Sequence, residues 1–398
     1  MFFSPGPGAL CGYRRVALFP SWTRRCLATK AYDPLRILFC GSDEFSIASL
    51  KALHEEHVKR PDRIASIDVV CRPGKRVGRG LKTVRDVPIK AAASDLSLPI
   101  HEIDTFRGWT PPILPAGPIN LIVAVSFGLF VPPRILNGAK YGGLNVHPSL
   151  LPDFRGPAPL HHTLLAGRTT TGVSLQTLHL KHFDHGTVLA QTPLPGFDIP
   201  SPTTCSVPDL LNLVSPKGAE ILVEGIRQGL FVPPVEDAGW RASEGEVLIH
   251  AAKIKPEDRH IDWTNWSFSE INRRNRVLGP LWSKSLVASS TPGESPTFQQ
   301  RRVIFTSFEE VPLLKGCDKF SLVPGLPFVN STHPVEPRKG KDVYVFTRDG
   351  KLIKINEMKV EGERNANALR AALKARMIGD RTLYSADEGY TPFYNPLS

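Results

Sequence analysis

Short apolar runs alternating with helix-spaced apolar positions dominate the first 230 residues. Leu35–Cys40 is one such run; it ends at Gly41, and Phe45–Leu53 follows at helical spacing, so a strand, a turn and a helix are predicted. Ile64–Val70 predicts a second strand, and Leu121–Val125 is apolar at every position, as a parallel strand covered on both faces would be. Leu144–His147 reads as a short strand end. Gly172–Leu178 and Thr187–Thr192 read as strands around a turn at Asp184-His185-Gly186. From Asp209 to Gln228 the apolar positions Leu210, Leu211, Val214, Ile221, Leu222 and Ile226 fall on one helical face. Strands alternating with helices predict a parallel α/β sheet, with a ligand site outside the carboxyl ends of its strands.

The texture then changes. Phe231–Glu246 is rich in Pro, Gly and acid and reads as a linker. Beyond it come β-like runs at Val303–Phe308, Val343–Thr347 and Leu352–Val360, which predict a small antiparallel barrel of the OB kind. A closing helix is predicted over Asn365–Met377. The longest apolar run, Ile119–Val131, is broken by Asn120, Ser126 and Gly128 and is too short for a membrane-spanning helix, so no membrane association is expected.

Charge changes this picture in two places. The 398 residues carry a formal net charge of +11. Residues 1–32 hold Arg14, Arg15, Arg24, Arg25 and Lys30 and no acid, which is the pattern of a mitochondrial transit peptide. Residues 33–250 balance, except for one cluster: Arg72, Lys75, Arg76, Arg79, Lys82, Arg85 and Lys90 stand against the single acid Asp86. Such a cluster is either a solvated face or a contact for a polyanion, and the second reading predicts salt-dependent binding. The six cysteines include no C-x-x-C pair, which argues for reduced thiols and against a structural zinc site.

Candidate chemistry concentrates in Asn145-Val-His-Pro-Ser-Leu-Leu-Pro-Asp-Phe-Arg-Gly156. On a strand, Asn145 and His147 point to the same face, where an amide donor beside an imidazole suits a carbonyl whose oxygen becomes negative. Taken alone, N-x-H is more simply a hydrogen-bonded turn with a structural histidine. His179, His182 and His185, and also His54 and His57, read as surface positions, since neither set comes with the further ligands a metal needs. Ser149 lacks a G-x-S-x-G elbow, and Gly78–Lys82 fails the P-loop spacing.

The whole string resembles the signature of the folate-dependent formyltransferase family. Leu35–Leu53 and Val123–Leu136 match the same family in register, as do Ile261-Asp262-Trp263 and the basic stretch Asn272–Pro280. The likeness covers about residues 35–390. It implies a Rossmann-like, parallel-sheet formyltransferase domain at 33–230, a linker at 231–247 and a tRNA-binding β-barrel at 248–390. It implies transfer of the formyl group of 10-formyltetrahydrofolate, without a metal, to the α-amino group of methionine esterified to tRNA. The setting would be translation initiation in the mitochondrial matrix, and a monomer is expected. By the same likeness Asn145, His147 and Asp184 form the active site, while Ser149, Leu150, Leu151 and Pro152 border the folate. Arg72, Lys75, Arg76, Arg79 and Lys82 would reach the tRNA acceptor stem. Two other readings stay open here: a formyltransferase for a small amine, and an RNA-binding protein on an inactive formyltransferase fold.

Overall fold

A computed structural model describes residues 30–240, 245, 247–289, 297–313, 323–331, 341–377 and 390–392. The expected leader up to residue 29 therefore lies outside the described residues. Its last three residues do not: the Lys30 ammonium donates to the carbonyls of Val232 (2.8 Å) and Pro234 (2.5 Å), and the Tyr32 hydroxyl to that of Ile226 (2.6 Å). The end of the expected leader is thus packed against the start of the expected linker.

The first half is built on a seven-stranded sheet. Its strands are β1 (Leu35–Gly41), β2 (Ile64–Cys71), β5 (Ile100–Glu102), β6 (Leu121–Val125), β7 (Gly143–His147), β8 (Ser174–Thr177) and β9 (Val188–Gln191). Between β2 and β5 stands a hairpin of β3 (Lys75–Val77) and β4 (Thr83–Arg85). The spatial order is β9-β8-β7-β6-β1-β2-β5. Strands β1, β2, β5, β6 and β7 are parallel, as the uninterrupted apolar runs require. Strand β8 alone runs against the others, pairing antiparallel with both β7 and β9, as two strands around the turn at Asp184-His185-Gly186 would. The segment joining β8 to β9 is too short for a crossover helix, so only a reversal can connect them.

Helices α1 (Glu44–Lys59) and α5 (Val207–Gln228) cover one face of this sheet, with α2 (Pro88–Asp95), α3 (Pro133–Leu136) and α4 (Pro159–Leu165) between them in the chain. Asp43 caps α1 by accepting from the Ser46 amide (3.1 Å). Ser206 and Asp209 form a capping box that starts α5 two residues before its predicted start, and the helix ends at Gly229 in the left-handed region. Between them lies the main core, with Leu35, Ile37, Phe39, Phe45, Leu50, Val123, Val146, Leu210 and Ile226 all buried. Leu38, Cys40, Val70, Ile122, Ala124 and Phe127 point to the other face and form a second cluster.

The second half opens with α6 (Phe268–Leu278), whose Val277 and Leu278 still pack into the first core. An antiparallel sheet follows in the order β10-β11-β14-β13-β12-β15. These strands are Leu281–Ser289 (β10), Thr297–Val311 (β11), Phe328–Ser331 (β12), Lys341–Phe346 (β13), Leu352–Val360 (β14) and Tyr390–Pro392 (β15). Strand β11 is bent by register shifts around Ser307, and the sheet curls into a half-barrel over its own core of Trp263, Val303, Phe305, Val343, Ile353 and Met358. The predicted closing helix is shorter than expected, Ala368–Lys374, because Asn367 caps it. Among the described residues no helix is long and apolar enough to cross a membrane.

Candidate active site

The strand order turns back between β1 and β6, and the carboxyl ends of β1, β6 and β7 open there onto a cavity of about 760 Å³. That volume lies in the ~300–1,000 Å³ range of small-molecule sites, at the place where doubly wound sheets bind ligands. Its walls come from Asp43–Phe45, Ser126–Val131, Asn145–Pro148, Arg155–His161 and the loop between β8 and β9.

Asn145 and His147 stand on β7 facing this cavity. Across the strand pair, Gln176 lies opposite Asn145 and Ser174 opposite His147. The Asn145 amide donates to the Ala124 carbonyl (2.9 Å), and its own Oδ1 accepts from the Gln176 amide (3.1 Å). One Asn145 N–H is left without an acceptor among the described residues. Nε2 of His147 lies 2.9 Å from the Phe154 carbonyl, so it carries the proton donated there. Nδ1 then faces Oδ1 of Asp184 at 3.4 Å. Asp184 sits in the left-handed region (φ 54°) and is held by the Gly156 amide (3.1 Å), the Gln176 amide (3.1 Å) and, at its carbonyl, the Arg155 guanidinium (2.8 Å). The three side chains expected to converge do converge, with Asp184 reaching His147 by direct contact.

A second layer holds this arrangement. The segment Ile249–Ala251, which follows the linker, pairs with the loop that carries Phe154 and Gly156: the Phe154 amide donates to Ile249 (2.8 Å) and the Ala251 amide to Arg155 (2.7 Å). The buried Asp153 carboxylate accepts from the Phe154 and Ile249 amides and from Arg168 (3.0 Å). Two of the further titratable groups that line the cavity stand away from their ordinary values. Burial pushes the Asp43 carboxyl above its ordinary value, against hydrogen bonds from Ser46 and Ser126. Burial pushes His161 down, helped by the charges of His162 and Arg259.

A family-wide sequence pattern described as formyl transferase matches residues 35–204. The mitochondrial methionyl-tRNA formyltransferase of Saccharomyces cerevisiae is 33% identical over 287 residues, covering 64% of this chain and 70% of its own length. The chain belongs to the methionyl-tRNA formyltransferase family. The human mitochondrial relative is 30% identical, covering 69% of this chain and 67% of its own. Among solved structures, Aquifex aeolicus HypX in complex with tetrahydrofolic acid is 18% identical with a TM-score of 0.45; it covers 85% of this chain, which spans 47% of HypX.

Within this formyltransferase the remaining expected residues fall differently. Of the run 148–152, only Pro148 lines the cavity. Ser149 and Leu151 are buried behind it: the Ser149 hydroxyl donates to the Asp153 carbonyl (2.7 Å), and the Leu151 amide to Ser174 (3.1 Å). Ser149, Leu150, Leu151 and Pro152, expected to border the folate, are thus not among the residues that line this cavity. The hairpin β3–β4 rises from the carboxyl end of β2, the same edge of the sheet as the cavity. Lys75, Arg76 and Lys82 are exposed on it, and Arg79 lies in its turn. Arg72, at its base, is 3.6 Å from Asp104, and Lys90 pairs with Asp86 and Glu102. His179, His182 and His185 cluster at the cavity mouth with ring centres 5.5–6.5 Å apart. Among the described residues no group of His, Cys, Asp and Glu is placed to hold a metal ion.

Sequence reasoning missed Gln176, Asp153 and Ile249–Ala251. The one available signal was the alternation along β8, which puts Ser174 and Gln176 on one face.

Proposed function

We propose that this formyltransferase carries the formyl group of 10-formyltetrahydrofolate to the α-amino group of methionyl-tRNA, in the mitochondrial matrix, as a monomer. The observation that carries the reading is the uncommitted Asn145 N–H beside a His147–Asp184 pair. The amine attacks the formyl carbon and the carbonyl oxygen becomes negative. Asn145 donates its free N–H to that oxygen, a contact stronger in the tetrahedral state than in the ground state. His147 takes the amine proton at Nδ1, where Asp184 faces the charged ring. When the carbon–nitrogen bond to the folate breaks, His147 returns a proton to the departing nitrogen.

The apolar wall of Phe45, Phe127, Leu129, Val131 and Leu160 suits a flat pterin ring. The exposed hairpin bases Lys75, Arg76 and Lys82, with Arg79 in the turn between its strands, suit the phosphates of an acceptor stem, which they would position without reading sequence. The basic, acid-free start of the chain and the mitochondrial relatives support the location.

The test is incubation with labelled 10-formyltetrahydrofolate and tRNAs charged with several amino acids. Label is expected on methionine alone. Label on a small free amine instead, or none on any acceptor, would overturn the proposal.

A further inference from the structure

Gln176 is 1% exposed, and its amide nitrogen donates to two acceptors of the site, Oδ1 of Asn145 and Oδ1 of Asp184, each at 3.1 Å. The network allows one orientation of that amide. Turning it over would set an oxygen against the Asp184 carboxylate. Turning Asn145 over with it would set a second oxygen against the Ala124 carbonyl, which now accepts from Asn145. The other end of the Gln176 amide, Oε1, is buried and has no hydrogen-bond partner among the described residues. A buried carbonyl without a partner costs its full desolvation, and an apolar side chain of similar volume would avoid that cost. A residue serving only to fill the interior would not need its amide.

We propose that Gln176 is a positioning residue for formyl transfer, tying the group that stabilises the oxyanion to the pair that moves the proton. It fixes Asn145 with the oxygen inward, which turns the free N–H toward the cavity. It also holds Asp184 with a donor on the oxygen that faces His147. Neither act requires contact with substrate. The charged and titratable groups that line the cavity with this amide are His147 on β7, Arg155 and His161 on the facing wall, His179, His182, Asp184 and His185 on the loop after β8, His250 after the linker, and Asp43 and Glu44 at the start of α1. On the opposite face of β8, α5 presents Gly225 to Leu175.

The inference rests on the formyl-transfer reading above, and the experiment separates the two. Full-length wild type, Gln176→Leu and Gln176→Glu are compared for kcat, both KM values and thermal melting, from about pH 6 to 9. Gln176→Leu is expected to lower kcat about 10–100-fold, the range for groups that orient functional side chains, with both KM values held within about threefold and the melting temperature unchanged or raised. Gln176→Glu places a second carboxyl beside Asp184, so its kcat is expected to fall further as pH rises and this carboxyl ionises. A kcat within about twofold of wild type for Gln176→Leu would overturn the proposal. So would a Gln176→Glu pH profile parallel to wild type. A readout independent of turnover is the pH titration of the His147 ring by NMR, expected to differ between wild type and Gln176→Leu; identical titrations also overturn it. Wild type that leaves methionyl-tRNA unformylated refutes the assigned reaction instead, and the ring titration still decides the role of Gln176.

Discussion

Gly156 and Ala251 meet backbone to backbone. A Cβ on Gly156 would stand 2.4 Å from the Ala251 carbonyl oxygen, and Gly156 has φ +126°, where side chains are strained. The same glycine donates its amide to Asp184. Gly156→Ala is therefore expected to destabilise the chain by about 1–3 kcal/mol and to loosen Asp184, lowering kcat more than either KM. Urea unfolding and steady-state kinetics on one preparation check this; wild-type values in both would mean that the pairing with Ala251 yields freely.

Asn145→Ala removes the amide whose second N–H has no acceptor among the described residues. A fall in kcat of about 10²–10³-fold is expected, with KM for folate and tRNA little changed. Near-normal kcat would remove Asn145 from the chemistry.

The exposed hairpin should act through charge alone. Arg76→Ala and Arg79→Ala are each expected to weaken tRNA binding and to reduce the slope of log Kd against log salt by about one, leaving KM for the folate unchanged. A binding titration at several salt concentrations reads the slope, and an unaltered slope would place the phosphates elsewhere.

Glu56 offers a stability test far from the cavity. Its buried carboxylate accepts from Arg227 (2.6 and 3.2 Å) and from Arg63. The Arg227 hydrogen bond holds the Glu56 carboxyl below the usual carboxylate range, against burial and with help from Arg63. Because the folded value is depressed, this contribution is complete above the ordinary glutamate range near pH ~4.3 and is lost as pH falls through the folded value. Glu56→Gln is expected to cost about 2 kcal/mol at neutral pH. The gap from wild type in denaturant unfolding should narrow on acidification; a constant gap would show that the carboxylate charge contributes nothing.

What could be seen in the chain beforehand follows from how local each signal is. Leu121–Val125 announces a buried parallel strand because all its positions are apolar, and Leu35–Cys40 does so because all but Arg36 are; period two alone puts Asn145 and His147 on one face. Asp184 carries no local mark and was reached through family likeness. The reversal at β8 hides in an ordinary alternating strand, and so does Gln176. The contact between Asp153 and Ile249 joins positions 96 residues apart, a separation at which neither segment betrays the other. Strand β11 runs nine residues beyond its apolar portion, Val303–Phe308, because its first residues are exposed and polar.

The pairing of Ile249–Ala251 with Phe154–Gly156 also changes what the boundary between the two halves means. A fragment ending near residue 230 would retain its sheet and most of its interior, yet the carbonyl that accepts the hydrogen bond of His147 Nε2 and the amide that grips Asp184 would lose their outer support. The half-barrel is anchored at the reaction centre rather than tethered beside it. A load applied to the barrel would therefore be shared between the first core, through Val277 and Leu278, and the support of the imidazole and its carboxylate, through Ile249–Ala251.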